Sequence, residues 1–143
     1  MDHKERIQAK ADELFMQYGI RSISMDDIAA QLGMSKKTLY QFFADKDELV
    51  EAVVDKELKI GQQDCVECRL QSKDAVDEIF ISMEQIAEQF RNMNPMVLYD
   101  LEKFHMASFR KFLKHKNEFL LDVIRKNMER GIREELFRPE INV

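Results

Sequence analysis

The chain has 143 residues, 34% charged and 45% hydrophobic, with only four Gly and two Pro, and its formal net charge of −5 comes from 22 basic and 27 acidic side chains. The low Gly and Pro content argues against a disordered or collagen-like chain and against an all-β fold, and no apolar run approaches the roughly 20 residues of a membrane span. The net charge taken alone argues against a nucleic-acid partner, but phosphate binding depends on local charge rather than on the total.

The first twenty residues carry apolar side chains at helical spacing. The stripe consists of Ile7, Ala11, Leu14, Phe15 and Tyr18, and Gly19 follows where the residue after a helix commonly stands. This amphipathic N-terminus does not resemble a secretory signal. Together with only two Cys, it predicts a cytoplasmic protein whose thiols stay reduced.

Three residues that favour helix N-caps divide the next segment. Ser24 suits the N-cap of a short helix that ends before Gly33, and Ser35 suits the N-cap of a second short helix that runs to Phe43. Asp45 opens a longer helix through a capping box. Three short helices are therefore predicted within residues 5–43.

The remaining pattern is helical as well. Helices are predicted over residues 46–70, 73–92 and about 107–130, without any alternation typical of a strand. The last of these is expected to turn its apolar side inward through Phe112, Leu113, Leu120, Val123 and Ile124. The predicted fold class is all-α.

The most informative feature is the pair of short helices joined by Gly33, Met34 and Ser35, which is typical of a helix-turn-helix. The second helix of such a pair has to be short and exposed, so that it can enter a DNA major groove about 12 Å wide. The polar residues at its N-terminus are Ser35, Lys36, Lys37 and Thr38. The apolar residues that can pack on the preceding helices are Leu39, Phe42 and Phe43. Tyr40 and Gln41 can project outward.

Lys36 and Lys37 are the only charged residues in residues 28–44. Cations at a helix N-terminus are disfavoured by the helix dipole. Two lysines there, with no acid nearby in the sequence, predict an external anion, and DNA phosphate is the obvious one.

The stretch from Ser24 to Val50, SMDDIAAQLGMSKKTLYQFFADKDELV, resembles the DNA-binding module of TetR-type bacterial transcriptional repressors. The matching positions are Ser24, Asp27, Ile28, Ala29, Gly33, Ser35, Thr38, Leu39, Tyr40, Phe43, Lys46 and Leu49. The segment from Ala11 to Gly19 also resembles the first helix of that family, which ends in an aromatic residue and Gly. The resemblance weakens after about residue 60.

The resemblance implies roles for individual residues. Tyr40 would hydrogen-bond a phosphate, Lys46 would grip the DNA backbone with the amides that open the fourth helix, and Ser24 would touch a phosphate from the cap of the second helix. The base-reading side of the recognition helix would carry Lys36, Lys37, Thr38 and Gln41 beside Ser35. Lys37 stands where the family often has a small residue, and it could read guanine or bind phosphate.

The same resemblance implies the domain organisation and the partners. Residues 1–47 would form the DNA-binding domain, and residues 48–143 would form a helical effector-binding and dimerisation domain. The family usually has two further helices, which predicts a chain truncated at its C-terminus. The expected function is a dimeric repressor, nucleoid-associated when bound, that releases a palindromic operator when a small molecule binds.

Candidate residues for the effector pocket are apolar or aromatic, with two polar groups to orient a ligand. They are Phe80, Met83, Phe90, Met93, Met96, Tyr99, Phe104 and His105. An apolar or aromatic effector is therefore predicted, although such stripes also occur where helices simply pack.

No motif indicates an enzyme, because the sequence lacks a phosphate-binding loop, a nucleophile elbow and an HExxH sequence. No cofactor and no metal are expected. Cys65 and Cys68 form a single CxxC, whereas a zinc site takes four ligands. A thiol or metal sensor built on these two thiols, or a helical protein-interaction module, is the alternative function.

Overall fold

The computed structural model describes residues 2–143, which form eight α-helices and contain no strand. The helices are α1 (His3–Tyr18), α2 (Met25–Leu32), α3 (Lys36–Phe42), α4 (Lys46–Gln71), α5 (Ala75–Asn92), α6 (Met96–Phe104), α7 (Met106–His115) and α8 (Leu121–Arg133), with a π-helical turn over Lys116–Leu120. The predicted all-α fold class is confirmed. None of the helices within the described residues is both long and apolar enough to span a bilayer.

The chain divides into two compact units. The first consists of the chain up to Glu57 together with Asn92–Phe112, and the second consists of Leu58–Arg91 together with Leu113–Val143. The domain boundary expected after residue 47 falls inside α4 and inside the first unit. It stays a prediction about function, because the compact units follow packing alone.

The first unit is organised around one apolar cluster. The α1 helix contributes four residues of the predicted stripe, whereas Tyr18 at the end of α1 is 52% exposed. The other members come from α2, α3, α4 and α6 and from the segments that precede α2 and follow α3. The buried cluster is Ile7, Ala11, Leu14, Phe15, Ile20, Ile23, Met25, Ile28, Ala29, Leu39, Phe43, Leu49, Val50, Val53, Val97 and Leu101. Residues of α6, distant in sequence, thus share a core with the N-terminal helices.

A half-buried carboxyl, Asp12 on α1, interacts with Glu57 on α4. Burial raises the pKa of Asp12 to about 8, and a hydrogen bond and repulsion from Glu57 act in the same direction. The Oδ1 atom of Asp12 has no hydrogen-bond partner among residues 2–143. Because the pKa of Asp12 is higher in the folded protein than its ordinary value of 3.8, the folded state holds more protons than the unfolded state between the two values.

Stability is therefore expected to fall as the pH rises from about 4 to about 8. The Asp12→Asn variant removes the titrating group and keeps the shape. Relative to wild type, its free energy of unfolding in urea should rise between measurements at about pH 5 and about pH 8.5, by roughly 1 kcal/mol for each pH unit below the folded-state pKa. The exposed neighbour Glu13→Gln serves as the control. An Asp12→Asn difference that is equal at both pH values would contradict the proposed proton linkage.

The second unit contains a network of polar contacts around Arg130 on α8. Its guanidinium donates to Glu78 Oε1 at 2.9 Å, to Ser72 Oγ at 2.7 Å and to Glu134 Oε2 at 3.1 Å. Glu134 Oε1 in turn accepts from the amide of Ala75 at 2.8 Å. These bonds fix the turn between α4 and α5 against α8.

The apolar side of α5 is exposed. The side chains on this face are Val76, Ile79, Phe80, Met83, Ile86 and Phe90. Ala75 and Glu78 are the buried residues of α5. The sequence pattern correctly identified an apolar face, but periodicity does not say what that face covers.

The predicted helix over about 107–130 is interrupted. The π-helical turn separates α7 from α8, and the ring of His115 stacks on Phe119 at 5.0 Å across it. One extra residue in a helical turn rotates every later side chain by about 100° around the helix axis. Ile124, expected to face inward, is 55% exposed, and Leu113, which precedes the turn and was also expected to face inward, is 37% exposed.

Candidate nucleic-acid interface

The turn between α2 and α3 depends on Gly33. Its φ of 65° and ψ of 26° lie in the left-handed region, which favours glycine. The Gly33 amide donates to the carbonyl of Ala30 at 3.2 Å, and the Met34 amide donates to the carbonyl of Ala29 at 3.0 Å. This pair of bonds is a Schellman motif, and it ends α2 so that the chain can start α3 three residues later.

The α3 helix separates a buried side from an exposed polar side. Leu39 is fully buried, whereas Tyr40 is 40% exposed. Lys36, Lys37 and Gln41 are exposed as well. The Oγ atom of Ser35 accepts from the amide of Thr38 at 3.1 Å and lies 2.9 Å from Thr38 Oγ1. The helix thus presents the polar side chains expected from the sequence, starting from the expected cap.

Ser24 caps α2 through a reciprocal pair of bonds with Asp27. Its Oγ accepts from the Asp27 amide at 3.1 Å, and its amide donates to Asp27 Oδ2 at 2.8 Å. The bond from the Ser24 amide lowers the pKa of Asp27. A side-chain hydrogen bond from Ser24 to the Asp27 carboxylate lowers that pKa as well.

Lys36 has an internal partner that the sequence did not indicate. Its Nζ atom lies 3.3 Å from Oδ1 of Asp26 on α2. The expectation that no acid lies near the two lysines is therefore wrong for Lys36, because the turn at Gly33 brings the first turn of α2 beside the first turn of α3. Lys37 forms no ion pair with any other residue in the range 2–143.

Lys46, expected to grip the DNA backbone, also has a partner within the first unit. Its Nζ donates to the carbonyl of Ile20 at 2.7 Å and lies 6.0 Å from the centre of the Phe15 ring. Burial lowers the pKa of Lys46, and nearby carboxylates, with Asp100 the strongest, oppose that shift. An ammonium group has three donors, so the phosphate contact predicted for Lys46 stays a prediction.

Asp100 on α6 is the site residue that sequence reasoning missed. It is 3% exposed, and its Oδ2 accepts from the amides of Ile20 and Arg21, both at 3.0 Å. Lys46 binds the carbonyl of the same Ile20. Both polar groups of the Ile20 backbone are thereby bound, and the turn that leads into α2 is fixed. We call these three residues, Ile20, Lys46 and Asp100, the turn clamp.

The end of α1 is held next to the turn clamp by Asn94, which lies two residues before α6. The Asn94 amide donates to the carbonyl of Met16 at 2.8 Å, and its side-chain Nδ2 donates to the carbonyl of Gln17 at 3.0 Å. Gly19 has a φ of 88°, and a Cβ there would lie 3.2 Å from Asp100 Oδ2. These contacts fix the position of Ser24 and α2 relative to α6.

The candidate effector residues divide between the two units. Phe80, Met83 and Phe90 belong to the second unit, and Met93, Met96, Tyr99, Phe104 and His105 belong to the first. Most of these side chains are exposed. Both polar candidates have partners in the first unit. His105 Nδ1 lies 2.5 Å from Asp47 Oδ1, and the Tyr99 hydroxyl accepts from Lys103 Nζ at 3.1 Å. The pocket itself stays a prediction.

Cys65 and Cys68 lie one turn apart on α4. The Sγ atom of Cys68 donates to Gln85 Oε1 at 3.0 Å, and both thiols are free. Burial raises the pKa of each thiol, which disfavours the thiolate that reacts with oxidants and binds metals. The described residues contain no group of three or more side chains suited to hold a metal ion.

Comparison with known proteins places the helix-turn-helix in a family. Residues 7–53 match the family model of bacterial regulatory proteins of the tetR family. The uncharacterized HTH-type transcriptional regulator YvaF of Bacillus subtilis is 39% identical over 105 residues, which cover 71% of this chain and 53% of YvaF. The chain therefore spans about half the length of that curated relative.

Solved structures share the fold over nearly the whole chain. A transcriptional regulator from Cytophaga hutchinsonii matches with a TM-score of 0.78 at 24% identity, covering 94% of this chain and 69% of the other. PfmR of Thermus thermophilus, a TetR-family transcriptional regulator, matches with a TM-score of 0.72 at 25% identity, covering 96% and 75% of the two chains. Residues 7–53, which include the helix-turn-helix, therefore belong to the tetR family of bacterial regulatory proteins.

Proposed function

We propose that this protein is a transcriptional regulator that binds duplex DNA with sequence specificity by inserting α3 into the major groove. The observation that carries the proposal is the exposed polar side of α3, with Lys37, Tyr40 and Gln41, on a helix whose opposite side is anchored by the fully buried Leu39. A short helix with this division of side chains suits groove recognition.

The finer proposal is a cytoplasmic homodimer that represses transcription from a palindromic operator. Two copies would place their α3 helices about one DNA turn, roughly 34–36 Å, apart. A small apolar or aromatic effector that changes this separation would release the DNA. The match to the tetR family model supports this proposal. The turn clamp joins α6 to the segment before α2, so a movement of α6 caused by the effector would also move α2 and α3.

The proposal is tested by selecting binding sequences from a random duplex library with the intact chain and then measuring fluorescence anisotropy at two salt concentrations. We expect a palindromic sequence, strong salt dependence, and roughly tenfold weaker binding for both Lys37→Ala and Tyr40→Phe. Lys37→Ala should also lower the salt slope by about one. The Lys126→Ala variant, which removes a charge from the second unit, is the matched control.

A helical protein-interaction module is the second candidate, and the exposed apolar face of α5 favours it. The same selection separates the two functions. A correctly folded chain that enriches no DNA sequence, or that binds selected and scrambled DNA equally, would reject the regulator and favour the interaction module.

A further inference from the structure

The two lysines that open α3 differ in their surroundings. Lys36 Nζ lies 3.3 Å from Oδ1 and 3.4 Å from Oδ2 of Asp26, which stands in the first turn of α2. Neither side chain is buried, since 52% of Lys36 and 68% of Asp26 are exposed. Asp26 therefore neutralises one lysine at the surface where DNA is expected, and it leaves Lys37 charged and unpaired among residues 2–143.

A second contact restrains the same ammonium group. Lys36 Nζ lies 6.0 Å from the centre of the Tyr40 ring, one helical turn further along α3. A cation over an aromatic face gains a modest attraction at an exposed site. Lys36 is thus held between the Asp26 carboxylate and the Tyr40 ring, and it points along the helix surface rather than extending freely from it.

These contacts have opposite consequences for the two lysines when DNA approaches. A phosphate would have to displace the Asp26 carboxylate before it could pair with Lys36, and that carboxylate would itself repel the phosphate. Lys37 meets neither obstacle. Exposed ion pairs contribute little energy. The pair with Asp26 should therefore cause a modest but measurable reduction in what Lys36 contributes to DNA affinity.

We propose that Asp26 withholds Lys36 from DNA phosphate, so that Lys37 is the lysine that contacts the operator. This inference rests on the proposed function. It assigns different roles to two adjacent lysines that the sequence pattern treats alike, and it assigns a role to an acidic residue of α2.

The test compares anisotropy titrations of Asp26→Asn, Lys36→Ala, Lys37→Ala and the double variants that combine Asp26→Asn with each lysine change. In the wild-type background, Lys36→Ala should weaken binding less than twofold and Lys37→Ala roughly tenfold. Asp26→Asn should tighten binding about two- to fivefold and steepen the salt slope by about one. Adding Lys36→Ala to Asp26→Asn should remove that gain, whereas Lys37→Ala should weaken both backgrounds equally.

The control variant is Asp122→Asn, which breaks the ion pair with Lys126 at 3.0 Å in the second unit and changes the net charge equally. If Asp122→Asn tightens binding as much as Asp26→Asn does, or if Lys36→Ala is as harmful as Lys37→Ala, the inference is overturned while the proposed function stands. If no folded variant binds the selected DNA, the inference and the proposed function are both rejected.

Discussion

The Asp100→Ala variant is expected to lose roughly 2–4 kcal/mol of unfolding free energy, because it leaves the amides of Ile20 and Arg21 without an acceptor. Ile20 is 2% exposed, so water cannot readily replace the carboxylate at its amide. Since the turn leads directly into Ser24 and α2, DNA affinity should also fall. Urea unfolding and DNA titration measure the two effects.

Two controls make the Asp100 prediction specific. Asp100→Asn retains an acceptor oxygen but loses the charge that faces Lys46. Its unfolding free energy should therefore fall by about half as much as that of Asp100→Ala. Glu102→Ala removes an exposed carboxylate from the same helix and should change stability by less than about 0.5 kcal/mol. An Asp100→Ala variant as stable as Glu102→Ala would show that the turn clamp does not hold the turn.

The Gly131→Ala variant is expected to destabilise the second unit by roughly 1–3 kcal/mol. Gly131 is buried in α8, and a Cβ there would overlap the ring of Phe137. The amides of Leu136 and Phe137 both donate to the carbonyl of Gly131, at 2.9 and 3.0 Å. These bonds keep the end of the chain over the glycine, so Phe137 cannot move aside without losing them. Thermal unfolding followed by circular dichroism measures the loss.

The matched control for Gly131 is another helical glycine. A Cβ at Gly61 in α4 would meet nothing within 4 Å. Gly61→Ala should therefore stabilise the protein by roughly 0.5–1 kcal/mol through the better helix propensity of Ala. If both substitutions stabilise the protein, the packing of Phe137 on Gly131 is not what makes that glycine necessary.

The features that the sequence predicted correctly are those that depend on neighbouring residues. The caps at Ser24 and Ser35 and the left-handed turn at Gly33 involve bonds over three to five positions. Capping and turn preferences act over that distance. For this reason the α2–turn–α3 arrangement and the polar side of α3 could be predicted from the order of the residues.

The features that the sequence did not reveal depend on tertiary packing. Asp100 binds amides 80 and 79 positions away, and in the sequence it is one acid within a generally acidic stretch. Asp26 reaches Lys36 only because the chain turns at Gly33. No local pattern encodes either contact, although the position of Asp100 on the apolar side of α6 is a signal that could have drawn attention.

Helical periodicity was wrong in one place and left the partner of a face open in another. It was extended through Lys116–Leu120, where the π-helical turn shifts the phase of α8. It identified the apolar side of α5, which is exposed in the structure, and the effector pocket predicted there stays a prediction. A period specifies which residues share a face and leaves the partner of that face open.

The most direct test of groove recognition by α3 is dimethyl sulfate footprinting of the selected duplex with the wild-type chain. This reagent methylates guanine N7 in the major groove and adenine N3 in the minor groove. If α3 enters the major groove, guanines in two half-sites about one turn apart should be protected, and the Lys37→Ala variant should lose protection. Protection of adenine N3 with fully reactive guanine N7 would contradict recognition by α3.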